Sequence, residues 1–182
     1  MDEAGFAQSP GALRQITFVE INGWQMFQDL VADYFRHLKN DSIKDVQVKP
    51  VGIGQDGGVD IFVDFLLTDS VQTYKRKWLV QCKFYNKIVL KSHLKDIDPQ
   101  SLVSEHGADG YLLVCKNDVQ SGLASALERY QANSSNNRCF AYWSGNQFIT
   151  QLYNMPLRPV IQRYFPRYYE YAHAQEKKVQ DI

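Results

Sequence analysis

The glycine-rich stretch GIGQDGGVDIFVDF, residues 52–65, decides the fold together with the triplet QCK at residues 81–83. Its glycines predict a tight loop, because glycine adopts backbone conformations that other residues avoid. The loop leads into a predicted strand, Val59–Leu67, whose successive side chains alternate between two faces. The triplet lies on the next predicted strand, Trp78–Tyr85. A turn between these strands makes them a hairpin, and this pairing places Asp60 opposite the triplet.

The facing side chains form a set that suits hydrolysis of a phosphodiester. Gln81 and Lys83 are two residues apart on one strand, so both project to the same side, toward Asp60. A divalent cation takes oxygen ligands, which Asp60, the Gln81 side chain and the Cys82 backbone carbonyl can offer. Lys83 would orient the attacking water or stabilise charge that develops on phosphorus. We therefore predict a Mg²⁺ site, with Mn²⁺ as the alternative metal, and a catalytic role for Lys83.

The rest of the pattern predicts an α/β domain, with a central mixed β-sheet flanked by helices. An amphipathic helix runs from about Gly23 to Lys39, with Asn22 as its N-cap. After the hairpin, helices alternate with strands, and Pro99 marks a break or a fresh helix start. The other predicted elements are strands at 43–51, 110–116 and 138–144 and helices at 92–105, 119–132, 147–153 and 157–164. Such alternation is typical of a sheet with helices on both faces.

Composition and charge limit the classes of protein to which the chain can belong. The 182 residues are 45% hydrophobic and have no net charge, which excludes a disordered chain. The charges lie in blocks, because residues 52–70 hold aspartates and no basic residue, whereas residues 71–95 hold lysines and arginine and no acid. Such blocks are either solvated faces or a cation site beside a surface for a polyanion. The absence of a long apolar run and the three scattered cysteines predict a cytoplasmic protein without a membrane segment.

These motifs resemble the PD-(D/E)xK nuclease superfamily and, within it, the Mrr-like restriction endonucleases. The resemblance rests on FQDLVADYF at residues 27–35, the glycine-rich stretch, the QCK triplet and GADGYLLVCKNDVQSGLASAL at residues 107–127. It implies a restriction-endonuclease-like fold that cleaves DNA with Mg²⁺. It also implies that Asp60 binds the metal and that Gln81 and Lys83 are the site residues of the triplet.

The first helix departs from the Mrr-like pattern. Many members of that family carry a glutamate there, within a Phe-Glu pair, whereas this chain has Phe27-Gln28 followed by Asp29. Gln28 can offer an oxygen but no charge, and Asp29 lies about 100° further round the helix. Gln28 is counted as a site residue. The alternative to an active endonuclease is a catalytically decayed nuclease fold that serves as a nucleic-acid-binding or oligomerising interaction module.

Basic side chains around the triplet are candidate contacts to the phosphates of duplex DNA. They are Lys75, Arg76, Lys77, Lys87 and Lys91. The C-terminal residues 157–173 interleave arginine with aromatic residues, and they either contact nucleic acid or pack on the core or on another domain. This segment resembles the closing region of Mrr-like domains that stand at the N-terminus of large antiviral defence proteins.

The domain organisation follows from these boundaries. We expect a leader at 1–15, an Mrr-like nuclease domain at 16–155, a helical aromatic and basic segment at 156–173 and a tail at 174–182, disordered from Glu176 onward. Because cutting both strands of a duplex usually needs two active sites, a homo-oligomer or a fused or partner domain is expected. A neutral domain binds DNA weakly alone, which favours the same conclusion.

Overall fold

Five strands form one mixed sheet. The computed structural model describes residues 11–52, 57–135, 137–154 and 158–180. The strands are β1 (Ile43–Pro50), β2 (Ile61–Thr68), β3 (Thr73–Lys83), β4 (Gly110–Cys115) and β5 (Cys139–Trp143), and they lie side by side in chain order. The pairs β1–β2 and β2–β3 are antiparallel, whereas β3–β4 and β4–β5 are parallel. The predicted α/β fold with a central mixed sheet is confirmed.

Helices cover both faces of the sheet. They are α1 (Trp24–Arg36), α2 (Pro99–Glu105), α3 (Ser121–Ala132), α4 (Gly145–Asn154), α5 (Arg158–Tyr164) and α6 (Pro166–Gln180). Leu79 and Val80 are neighbours on β3 but belong to different cores, since successive strand side chains point to opposite faces. Val80 packs in the core that also holds Phe27 of α1, and Leu79 packs in the core that holds Leu127 of α3. No helix within the described ranges is long and apolar enough to cross a membrane.

Several boundaries differ from the sequence predictions, since β2 begins at Ile61, after the predicted Val59, and β3 ends at Lys83, before the predicted Tyr85. Gly23, with a φ of 97°, takes the N-cap position of α1, and no side chain caps the helix, so the expected cap at Asn22 is wrong. β3 begins at Thr73, before the predicted start, because its first residues pair with the end of β2. α6 continues through Glu176 to Gln180, where a disordered tail was expected. In contrast, Pro99 is a fresh helix start, as one of the two alternatives had it.

A buried carboxylate joins the first helix to the C-terminal helices. Asp33 of α1 accepts hydrogen bonds from Arg36 at 2.7 Å, from Arg163 at 2.9 Å and from the Tyr164 hydroxyl at 2.7 Å. Burial alone would raise the pKa of Asp33, but the hydrogen bonds from Tyr164 and Arg36 and the charge of Arg163 lower it overall. Asp33 therefore stays charged and holds α5 against α1.

We predict that Asp33→Ala lowers the free energy of unfolding by about 2–3 kcal/mol, because it leaves the buried Tyr164 hydroxyl without its acceptor. Urea denaturation at pH 7 measures the loss, and Asp29→Ala, an exposed acid on the same helix, is the control. The folded pKa of Asp33 lies below the ordinary 3.8. Its stabilisation is therefore present above that value and is lost as the pH falls through the folded pKa. Equal losses in both variants would contradict this role.

Candidate active site

Asp60 lies at the entry to β2, where its backbone is held between two strands. Its N–H donates to the Val80 carbonyl at 2.9 Å, and its carbonyl accepts from the Val51 N–H at 2.8 Å. Its carboxylate oxygen Oδ2 accepts from the Cys82 N–H at 2.6 Å. The carboxylate therefore lies against the QCK triplet, as the predicted hairpin requires.

The environment of Asp60 is partly apolar and partly cationic. Burial raises the pKa of the Asp60 carboxyl, against the lowering effects of the Cys82 hydrogen bond and of the Lys83 charge. Lys83 itself is half-buried at the last position of β3. The structure thus brings together the carboxylate and the ammonium group that the sequence predicts.

Gln81 faces into the protein from the same strand. Only 3% of it is exposed, and its oxygen Oε1 accepts a hydrogen bond from the Tyr111 hydroxyl of β4. Its nitrogen Nε2 would lie 3.4 Å from a Cβ placed on Gly58, a residue with a φ of 111°. Gln81 therefore supports the glycine loop before Asp60. An amide oxygen has two lone pairs, so one remains beside the bond to Tyr111.

The donor set fits a hard divalent cation that takes oxygen ligands. Asp60 offers a carboxylate and Gln81 an amide oxygen. The Cys82 carbonyl lies on the same side of β3 as the Cys82 N–H that binds Asp60, because both groups of a strand residue point the same way. The described residues contain no cluster of three His, Cys, Asp or Glu side chains that could hold a metal. Water and phosphate oxygens would therefore complete the coordination of a bound ion.

Gln28 of the first helix lies beside the backbone of Asp60. Asp56 lies outside the described residues. Gln28 of α1 donates from Nε2 to the backbone carbonyl of Asp60 at 2.9 Å. It therefore contacts Asp60 through the backbone and fixes the entry to β2 from the helix side. Trp24, one turn before Gln28, is 50% exposed.

Four of the five candidate DNA contacts fall into two groups. Lys87 and Lys91 are exposed and follow Lys83 in the connection after β3. Lys75 and Lys77 lie toward the other end of β3, and the eight steps along the strand from Lys75 to Lys83 span about 26 Å at roughly 3.3 Å per residue. Lys75 and Lys77 line a shallow cavity that also includes Asp64.

Arg76 has a different environment from the other basic candidates. Its guanidinium donates to Cys139 Sγ at 2.7 Å and lies 5.5 Å from the centre of the Trp78 ring. The structure therefore does not bring the five candidates into one basic surface. A DNA-binding role for each of them stays a prediction.

Some residues at this edge of the sheet were missed by the sequence analysis. Tyr111 supplies the hydroxyl that holds Gln81, and Lys116, at the end of β4, donates from its backbone N–H to the Lys83 carbonyl at 2.9 Å. One signal was available for Tyr111, since a hydroxyl in an otherwise apolar buried strand needs a hydrogen-bond partner. No local pattern indicates which strand supplies that partner.

Comparisons with known proteins relate most of the chain to restriction enzymes. Residues 20–136 match the family model Mrr_cat, described as a restriction endonuclease. No curated protein matches the chain. The solved structure of the DNA modification-dependent restriction endonuclease AspBHI is similar over 70% of this chain and 30% of that one, with 15% identity and a TM-score of 0.47.

A second solved structure is the MspJI restriction endonuclease in complex with a 27-mer oligonucleotide. It is similar over 78% of this chain and 32% of that one, with 13% identity and a TM-score of 0.44. The chain therefore spans about a third of the length of each of these two proteins.

We predict that Asp60→Asn raises the melting temperature of the metal-free protein at pH 7 by roughly 2 °C. The folded pKa of Asp60 is raised, so the folded state binds more protons than the unfolded chain between 3.8 and the folded pKa. Stability contributed by this group therefore falls as the pH rises through that window, and asparagine removes the buried charge. Asparagine can still accept from Cys82. Differential scanning calorimetry gives the result, and a lower melting temperature than wild type would contradict it.

Proposed function

The chain belongs to the Mrr_cat restriction endonuclease family, and on this basis we propose that it is a Mg²⁺-dependent DNA endonuclease that hydrolyses phosphodiester bonds in restriction or antiviral defence. One observation supports the proposal most. The Asp60 carboxylate accepts from the Cys82 N–H at 2.6 Å, at the edge of the sheet where Lys83 ends β3. A carboxylate and an ammonium group held at adjoining strand positions are what hydrolysis of a phosphate ester needs.

Asp60 would act in its charged form. A bound Mg²⁺, or Mn²⁺, supplies Lewis acidity that neutralises charge on the phosphate and makes water a better nucleophile. The residues that would hold it are Asp60, the Gln81 side chain and the Cys82 carbonyl. Because the Cys82 N–H fixes one carboxylate oxygen, the other oxygen is left for the ion. Protonation of Asp60 at low pH would remove the only charged ligand of this set.

Lys83 would stabilise the charge that develops in the transition state. Its ammonium group is already close enough to Asp60 to lower the pKa of that carboxyl. In a partly buried site, a positive charge stabilises a phosphate far more than it does in water. Lys83 also carries hydrogen-bond donors that can orient the attacking water. Gln81 and Gln28 would keep the loop and the entry to β2 in place while substrate binds.

The substrate proposed is DNA, and the zero net charge limits how the chain would bind it. Lys87 and Lys91 are exposed in the connection directly after the triplet, where they can contact phosphates on either side of the scissile bond. The chain as a whole adds no excess positive charge to hold the duplex. Cleavage of both strands would therefore depend on a homo-oligomer or on a fused or partner domain.

A second function, DNA binding without cleavage, has one observation in its favour. Gln28 stands where many Mrr-like domains have a glutamate, and its amide nitrogen is bound to the Asp60 backbone carbonyl at 2.9 Å. It therefore adds no charge to the ligand set. Salt-sensitive binding to DNA with no nicking in Mg²⁺ or Mn²⁺ would favour this function over hydrolysis.

We predict that the purified protein nicks or cuts supercoiled plasmid with Mg²⁺ or Mn²⁺ and that EDTA stops the reaction. Lys83→Ala should lower the rate by about 10²–10³-fold, because it removes the charge that stabilises the transition state. Asp60→Asn should abolish cleavage, since it removes the charged ligand. Gel electrophoresis of the plasmid measures each rate.

Lys44→Ala is the matched control for this experiment. Lys44 is an exposed lysine on β1, next to Ile43, which pairs with Leu67 at the end of the sheet opposite Asp60. Its removal should leave the cleavage rate within about twofold of wild type, as expected of an exposed residue remote from the site. Equal cleavage by wild type, Lys83→Ala and Asp60→Asn would show that the nuclease activity belongs to another site or to a contaminant.

A further inference from the structure

Two lysines lie next to each other at the edge of the sheet that holds Asp60. Lys83 ends β3, and Lys116 directly follows the last residue of the parallel neighbour β4. The Lys116 N–H donates to the Lys83 carbonyl at 2.9 Å, so the two backbones are in direct contact. Because Lys83 pairs with Cys115, Lys116 is one position further along, and its side chain lies on the other face of the sheet, over Phe84.

Each ammonium group lies over an aromatic ring of the dipeptide Phe84-Tyr85. The Lys83 Nζ is 5.8 Å from the centre of the Tyr85 ring, and the Lys116 Nζ is 4.3 Å from the centre of the Phe84 ring. Both distances are within the roughly 6 Å range of a cation–π interaction. Two successive residues thus support lysines at the ends of two adjoining strands.

Each of these two rings packs against another aromatic ring. The Tyr85 ring is 4.6 Å from the His93 ring, and the Phe84 ring is 5.5 Å from that of Phe27 on α1. The His93 Nδ1 accepts from the Leu90 N–H at 3.0 Å, which fixes the orientation of the imidazole. The rings are therefore set by packing and hydrogen bonding before any ligand binds.

Lys116 keeps donors for a ligand. Its Nζ donates to Asn86 Oδ1 at 2.5 Å, and an ammonium group has three donors, so two remain. Within the part of the chain that the structure describes, neither Lys116 nor Lys83 forms a salt bridge with an acidic residue. Lys83 has the Asp60 carboxylate as an electrostatic partner, whereas Lys116 lacks an acidic one among the described residues. A phosphate of a polyanion would supply that negative charge.

We infer that Lys116 is a second phosphate-contacting group, which binds the DNA backbone beside the phosphate served by Lys83, and that the Phe84-Tyr85 pair positions the two ammonium groups. This inference rests on the proposed DNA substrate. It assigns Lys83 to the scissile phosphate and Lys116 to another phosphate at the same end of the sheet. Phe84 and Tyr85 act through the lysines and are positioning residues.

The test of Lys116 measures binding of a fluorescent duplex by anisotropy between 50 and 200 mM NaCl, conditions in which the salt slope reports phosphate contacts. It uses the Asp60→Asn protein as the parent, so that no cleavage occurs. Lys116→Gln keeps a donor for Asn86 but removes the charge. It should reduce the slope of log K against log salt by about 0.9, the value for one phosphate contact. Lys116→Arg should keep the parent slope.

Lys44→Gln is the matched control, because it removes an exposed lysine far from the site. It should leave the slope unchanged. An unchanged slope for Lys116→Gln, or an equal change for Lys44→Gln, would overturn the assignment of Lys116. A purely structural role for Lys116 would weaken binding without moving the slope.

Positioning by Tyr85 is tested in cleavage assays with wild-type Asp60. Tyr85→Leu should lower kcat about 3–10-fold with KM unchanged, whereas Tyr85→Phe keeps the ring and should stay within about twofold of wild type. Tyr74→Leu is the control, since Tyr74 lies on β3, which ends just before Tyr85, and is 40% exposed, compared with 38% for Tyr85. Equal losses in Tyr85→Phe and Tyr85→Leu would overturn the positioning role.

The two proposals fail in different ways. If the wild-type protein does not cut DNA but Lys116→Gln reduces the salt slope, the endonuclease function fails and the role of Lys116 stands. If the wild type cuts DNA and the slope is unchanged, the function stands and the role of Lys116 fails. If the Asp60→Asn parent does not bind DNA at all, the role of Lys116 is overturned, and cleavage by the wild type alone decides the endonuclease function.

Discussion

The hydrogen bond from the Cys82 N–H to the Asp60 carboxylate ties the start of β2 to the end of β3, and the geometry of the site depends on it. It uses a backbone donor that would otherwise belong to the sheet ladder, so a change of register between these strands would break it. The same register places Lys83 beside the carboxylate. It also directs Gln81 toward Tyr111, in the core that holds Leu127. The pairing of β2 with β3 therefore sets the positions of Asp60, the proposed metal ligand, of the positively charged Lys83 and of Gln81, which supports the loop before Asp60.

This arrangement places a charged group where burial disfavours it. Burial raises the pKa of Asp60, and the Cys82 N–H and the charge of Lys83 oppose that effect. A fold selected for stability alone would put a neutral residue there. The Gln81–Tyr111 hydrogen bond and the Gln28 bond to the Asp60 carbonyl supply rigidity nearby, and Asp33 supplies it at the far end of α1. Stability is therefore contributed around the site, while the site itself keeps an unfavourable charge.

Local patterns in the sequence predict a large part of the fold and the centre of the site. Alternation in two neighbouring strands is enough to place Asp60 opposite the triplet, and helical spacing is enough to locate α1. The partner of Gln81 is not predictable in this way, because Tyr111 lies on a parallel strand whose register is set by tertiary packing. For Lys75 and Lys77, closeness in sequence is misleading. They are near Lys83 in sequence, but an extended strand carries them away from it.

The central claim is that Asp60 binds a divalent cation together with a phosphate of DNA. Mn²⁺ binding, measured by electron paramagnetic resonance with and without a duplex of non-hydrolysable phosphorothioate linkages, tests it most directly. The account predicts that the duplex tightens Mn²⁺ binding by about tenfold or more, since phosphate oxygens complete a ligand set with one carboxylate. It also predicts that Asp60→Asn removes both the binding and its dependence on DNA. Mn²⁺ binding of equal strength in the wild type and in Asp60→Asn would contradict the account.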